Sequence, residues 1–247
     1  MTEPTARFAL RHRLDAFAFP TFVLLIWVAV LMGFVPEVVD QVRTHNFDYP
    51  FLTHVHALVF IGWLVLLTVQ TALVRSHNLR LHRRLGVAAT FMVPLMVALG
   101  MIAVVSMYRR LFAPDFLPLS LSMRIADMVS FAGAATAGLA LRKKNPSAHK
   151  RLMLLATFCL AAAGFGRWWG DWMLARFGTG FIGRWSFDYP GEVMLILLLA
   201  GYDLVTRRRL NRPYMIAAAA VIVTQLFGVY VRDLPGWKPI AIMLIAR

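Results

Sequence analysis

The sequence predicts an all-α fold: a polytopic transmembrane helical bundle of about seven helices, N-terminus inside and C-terminus outside. Three observations carry this. The 247 residues are 60% hydrophobic and only 15% charged, whereas soluble domains carry about a quarter charged residues. The apolar residues gather into seven runs, most close to the roughly 20 residues that a helix needs to cross hydrocarbon. Lysine and arginine concentrate in short segments between those runs, where the positive-inside bias is counted.

The predicted spans are 17–35, 51–74, 85–108, 116–141, 152–169, 189–206 and 213–231, within a single integral membrane domain, 1–247. The first and third runs contain no Asp, Glu, Lys or Arg. The second begins with His54 and His56. The fourth contains Arg124 and Asp127, the fifth ends near Arg167, and the sixth is bracketed by Glu192 and Asp203. Residues 239–246 are apolar but too short to cross, and are expected to pack on the bundle or at the interface. The connection 170–189, rich in Trp, Phe, Gly and Arg, reads as an outer loop on the membrane surface or a lid over a cavity. The segment 2–16 is polar and basic, and the run after it is longer than a signal-peptide core. This reads as a retained signal anchor.

Charge orients the spans. With the N-terminus inside, the inner segments hold sixteen basic residues and the outer segments nine, while Glu37, Asp40, Asp48, Asp115, Asp171, Asp188, Glu192 and Asp233 fall outside. The odd number of crossings depends on 152–169 and 189–206 both spanning. As one re-entrant unit they would leave five crossings, with the C-terminus still outside. The net charge of +14 would suggest nucleic acid in a soluble chain. Placed in short inter-span loops, it points to the lipid bilayer as the partner, and to no nucleic acid. The one cysteine, Cys159, excludes an internal disulfide and a cysteine-rich metal site.

Two short repeats stand out. Phe47-Asp48-Tyr49-Pro50 recurs as Phe187-Asp188-Tyr189-Pro190, each before an inward-going run. His82-Arg83-Arg84-Leu85 is matched by His149-Lys150-Arg151-Leu152, each at the inner start of an outward-going run.

Polar residues inside apolar runs mark candidate sites. His56, Trp63, Gln70 and His77 recur every seven residues, which keeps them near one helix face with a slow drift. Such a face would line a cavity, contact a cofactor, or bond to neighbouring helices. His54 and His56 could share a metal ion only if the helix starts late, because residues two apart point to opposite sides. His82 and His149 share one depth on the inner side, as axial ligands to a haem would, or as basic contacts to lipid headgroups. Arg124 and Asp127, three apart, can meet on one helix face. They read as an anion or quinone contact, a proton relay, or a self-neutralised packing pair. The seventh run has neither a lysine for a Schiff base nor a His-x-x-x-His, and the chain has no phosphate-binding glycine motif.

The runs His54-Val55-His56-Ala57-Leu58, Gly62-Trp63, Gln70-Thr71, Leu73-Val74, Leu81-His82-Arg83-Arg84-Leu85-Gly86 and Ala148-His149-Lys150-Arg151-Leu152-Met153 resemble a bacterial family of uncharacterised multi-pass inner-membrane proteins. The His-Lys-Arg-Leu-Met element is also similar to small membrane proteins of the oxidase-assembly type. The resemblance implies a bacterial inner-membrane location, and that His56, Trp63, Gln70, His82 and His149 belong to the family's pattern. It implies no particular activity. Together these observations favour a haem- or quinone-related redox or assembly protein, with haem b or a metal ion as the candidate cofactor. The alternatives are a small-solute transporter or channel, with an anion among the candidate solutes, and a non-catalytic subunit of a respiratory or other membrane complex.

Overall fold

The computed structural model describes residues 8, 12–45, 49–111 and 118–246. Arg7, Arg11, Asp48, Asp115 and Arg247, used above for topology, lie outside these residues, as do the first two residues of the fourth predicted run. Nine helices are found among the described residues: α1 (Asp15–Thr44), α2 (Phe51–Arg75), α3 (Leu79–Leu111), α4 (Leu121–Leu141), α5 (Pro146–Phe177), α6 (Phe181–Asp188), α7 (Pro190–Arg207), α8 (Arg212–Arg232) and α9 (Trp237–Ala246). Five of them, α1, α2, α3, α5 and α8, are long and apolar enough to cross a membrane, as expected of a multi-pass membrane protein. α6 and α7 together would make a sixth, bent by 65° at their junction. α4 is about 31 Å long at 1.5 Å per residue, but Arg124, Asp127 and its Ala, Gly and Ser content lower its hydropathy.

α5 is the axis of the bundle and packs on α1, α4, α6, α7 and α8. Its low hydropathy follows from that position. A helix walled in by protein needs small residues for close approach more than it needs bulk against lipid. Gly164 of α5 lies so close to α1 that a methyl group there would sit 2.5 Å from the Ala29 carbonyl oxygen. Gly33 of α1 meets the Gly164 backbone in the same way. Around this axis Phe22, Ile26, Trp63, Met96, Phe131, Leu155, Phe158 and Leu199 form the main core. Large apolar side chains such as Leu24, Leu58, Phe91, Val129, Leu197 and Phe227 point outward, as suits a lipid-facing perimeter.

Two expectations change here. Residues 170–189 do not form a loop. No glycine or proline with the required geometry interrupts α5 until Gly178, whose φ of 76° ends it, and α6 follows at once. The four-residue stripe on the second span also loses its last member. α2 stops at Arg75, and His77 lies in the following turn with φ 59°. The short tail is α9, which buries Trp237, Ala241 and Ile245 against Met101, Val105, Tyr108 and Leu119. Of the first Phe-Asp-Tyr-Pro element, Phe47 and Asp48 lie outside the described residues; Pro50 precedes the first residue of α2 and Pro190 opens α7, while His82 and His149 lie in the first turns of α3 and α5.

The Gly164 contact generates a comparison. Gly164→Val should cost about 1–3 kcal/mol through overpacking, seen as a lower melting temperature in detergent. Gly133 lies on an open face, where an added methyl group would meet nothing within 4 Å. It should tolerate Ala with unchanged or slightly raised stability.

Candidate functional site

Two groups of buried ionisable side chains lie toward opposite ends of α5. The first is anchored by Asp15. Its carboxylate accepts from Lys150 Nζ at 2.7 Å, from a terminal Arg207 nitrogen at 2.7 and 2.8 Å, and from the Tyr202 hydroxyl. Beside it, Arg151 and Asp203 form a fully buried pair. Arg151 Nε donates to Asp203 at 2.6 Å, and its Nη1 donates to the Ser147 carbonyl and hydroxyl at 2.8 Å each. Phe8 and Phe19 flank the Arg151 guanidinium. Asp15, Arg151 and Asp203 are thus each held by several partners. The arrangement ties the starts of α1 and α5 to the last turns of α7.

The second group, at the Asp188 end, is assembled from five helices. Arg124 in the first turn of α4 meets Asp127 at 3.0 Å and also pairs with Asp188 at the end of α6. Asp127 accepts from the Tyr189 hydroxyl at 3.0 Å. In the first turn of α7, Glu192 is completely buried, and neither carboxylate oxygen has a hydrogen-bond partner of ordinary geometry. Asp127 and Asp188 lie within its electrostatic range, and the Cys159 thiol of α5 interacts with it. Gln225 of α8, with its Oε1, and Ser130 of α4, with its hydroxyl, are buried there and also unpartnered. Their common depth follows from Gly228, which packs on Met123 and Ala126. In the antiparallel α4–α8 pair this sets Gln225 level with Asp127 and Ser130.

Local sequence explains the geometry. Arg124 and Asp127 lie three apart and so share a face. Pro190 lacks the N–H that a continuous helix would need, and it opens α7 as an N1 proline while α6 ends before it. The resulting bend turns Asp188 toward α4 and points Glu192 inward. Gly166, Gly170 and Gly191 leave the room that Asp188, Phe187 and Phe165 occupy. The sequence puts Asp188 and Glu192 in or beside an outer loop, and it does not show Asp188 as a partner of Arg124 or Glu192 as a neighbour of Asp127. The second Phe-Asp-Tyr-Pro element is the available signal.

The other candidate residues are dispersed. Trp63 is buried and donates to Thr157 at 3.2 Å. Gln70 faces Gly86 of α3, and both its side-chain polar atoms are buried without partners. His82 Nδ1 is likewise unpartnered, while His149 Nδ1 bonds the Gly138 carbonyl at 2.8 Å. His82 and His149 stand close enough to interact electrostatically. The His56 ring lies tilted against Phe60 with ring centres 4.0 Å apart, whereas His54 and Tyr49 meet edge to face, so the two rings engage different neighbours. The Tyr49 hydroxyl donates to Glu37 at 2.7 Å, and this bond raises the phenol above its ordinary value. Among the described residues no three His, Cys, Asp or Glu side chains are grouped to hold a metal ion.

The pair at the Asp15 end should behave as a buried ion pair. Asp203→Asn leaves the Arg151 guanidinium buried without its counter-charge and should cost about 3–5 kcal/mol. The double variant Arg151→Met with Asp203→Leu should recover much of that loss. Melting temperatures of the single and double variants in detergent check both statements. Comparison with known proteins matches no family model, no curated protein and no solved structure.

Proposed function

We propose that the chain is a proton-coupled small-solute transporter of a bacterial inner membrane. It crosses seven times, through α1, α2, α3, α4, α5, the α6–α7 pair and α8, with its N-terminus inside. The single observation that carries the transport reading is Glu192, a fully buried carboxyl group with no hydrogen-bond partner of ordinary geometry, beside an Arg124–Asp127–Asp188 array. A charge on such a group, away from water and without a cation of its own, costs several kcal/mol or more. Ionisable residues held in this way inside a membrane mark proton relays and solute paths. The Asp15 end, with its carboxylates bonded on several sides, fits a structural clamp. The basic residues of the short loops α2–α3, α4–α5 and α7–α8 support the orientation.

Two measurements test this. In a Cys159→Ala background, Lys144→Cys should be shielded from a membrane-impermeant maleimide in intact cells and Gly180→Cys should react. The reverse pattern would invert the topology. A hydrophobic carbodiimide, which reacts with protonated carboxyl groups out of contact with water, should modify Glu192 in the purified protein, read by peptide mass spectrometry. Glu192→Gln should abolish that adduct and slow proton uptake into proteoliposomes to the rate of protein-free vesicles. Unmodified Glu192, or full proton flux in the variant, would overturn the reading.

A further inference from the structure

We infer that the solute bound at the Asp188 end is a small organic cation, a protonated primary amine, and that Glu192 gives up its proton in exchange for it. This rests on the proton-coupled reading above and names the substrate class of the same site.

Three features point to a cation. The first is charge. Asp127, Asp188 and Glu192 bring three carboxyl groups, and Arg124 brings one guanidinium. Full ionisation would leave two negative charges unbalanced. The two terminal nitrogens of Arg124 are already occupied, one by Asp127 at 3.0 Å and the other by Asp188. An anionic solute would meet like charge there, with both ends of the guanidinium fork engaged. A monovalent cation beside the ionised Glu192 would remove half of that imbalance.

The second feature is the kind of atom left unpartnered. Both oxygens of Glu192, Oε1 of Gln225 and the hydroxyl of Ser130 are buried without a hydrogen bond of ordinary geometry. These oxygens can accept, and they come from α7, α8 and α4 around one depth, while the unpartnered indole N–H groups of Trp169 and Trp185 belong to the aromatic side chains beside them. Buried polar atoms in this state call for a partner. An ammonium group supplies three N–H donors and no acceptor, the complement of that set.

The third feature is the wall. The Phe165 ring lies against Gly191, next to Glu192, and stacks on Trp169 with ring centres 4.9 Å apart. Trp185 stands 6.3 Å from Tyr189. Aromatic faces attract cations, most strongly where water is excluded, and they also suit a short alkyl chain.

The exchange balances in protons and charge. Protonated Glu192 loses its O–H proton to the aqueous phase as the ammonium enters. The carboxylate formed is paired with the ammonium, so the charge of the site is unchanged. The groups that face Glu192 fit this step. They are Asp127 from α4, Cys159 from α5, Asp188 from the end of α6 and Tyr214 from α8. None of these is a cation, and Arg124 is committed to the two aspartates.

The test is calorimetric titration of the full-length purified protein with n-butylammonium, repeated in buffers of different ionisation heat so that proton release is counted. Wild type should bind saturably and release one proton per amine. Glu192→Gln and Gln225→Leu should each weaken binding at least tenfold while eluting as monodisperse protein, and butyrate should not bind. Binding of butyrate, or amine binding that survives Glu192→Gln without loss, would overturn the assignment. Carbodiimide modification of Glu192 in protein that binds no amine would refute the cation while leaving the proton-coupled reading in place. Absence of both would remove the reading itself.

Discussion

The structure depends on the neutralisation of charge between helices that have no water to turn to. An ion in an apolar interior loses solvation worth several kcal/mol, and only a well-placed counter-charge with further hydrogen bonds restores it. The chain buries Arg151, Asp203, Asp188, Asp127 and Glu192, so it must bring oppositely charged groups together from distant parts of the sequence. Arg151 and Asp203 are 52 positions apart, and Arg124 and Asp188 are 64 apart. The first pairing sets α7 against α5, and the second sets the end of α6 against α4.

Close packing of small residues makes such pairings reachable. Gly164 and Gly33 bring α1 onto α5, and Gly228 brings α8 onto α4 beside Ala126. Between apolar helices in lipid the hydrophobic effect offers little, so contact area and interhelical hydrogen bonds must hold the bundle. Trp63 to Thr157, Ser122 to the Gly228 carbonyl and Tyr214 to the Ile196 carbonyl serve that purpose. The same closeness leaves no slack at the bonded positions. A polar atom without a partner within this frame is therefore informative.

Much of the architecture is legible in the sequence because it depends on local composition. Apolar length marks the long helices, and the three-residue spacing of Arg124 and Asp127 places them on one face. The site's other half is not legible, since Asp188 reaches Arg124, and Glu192 comes near Asp127, only through the bend at Tyr189–Pro190. Nothing in their neighbours announces α4 as the target. The aromatic and glycine content of 170–189 suggests a surface loop, yet those glycines serve packing. Gly170, with Gly166 one turn before it, makes room for Phe187 and Asp188, and only Gly178, with its positive φ, ends a helix. The seven-residue stripe fails at His77 for a related reason. Periodicity continues on paper after the backbone has left the helix.

The contrast between the two charged groups separates structure from function. At the Asp15 end, groups from several helices converge on one carboxylate, and Arg151 distributes its donors over Asp203 and Ser147. That is how a buried network is built when it only has to hold. At the Asp188 end the same chain, with the same close packing, leaves a carboxyl, an amide oxygen, a hydroxyl and the indole N–H groups of Trp169 and Trp185 unmatched. A single hydrophobic residue in place of Glu192 would remove the cost of burying a bare polar group there. A carboxyl at that position is best explained by a charge that arrives and leaves, since a permanent counter-ion would be needed to justify it on stability alone.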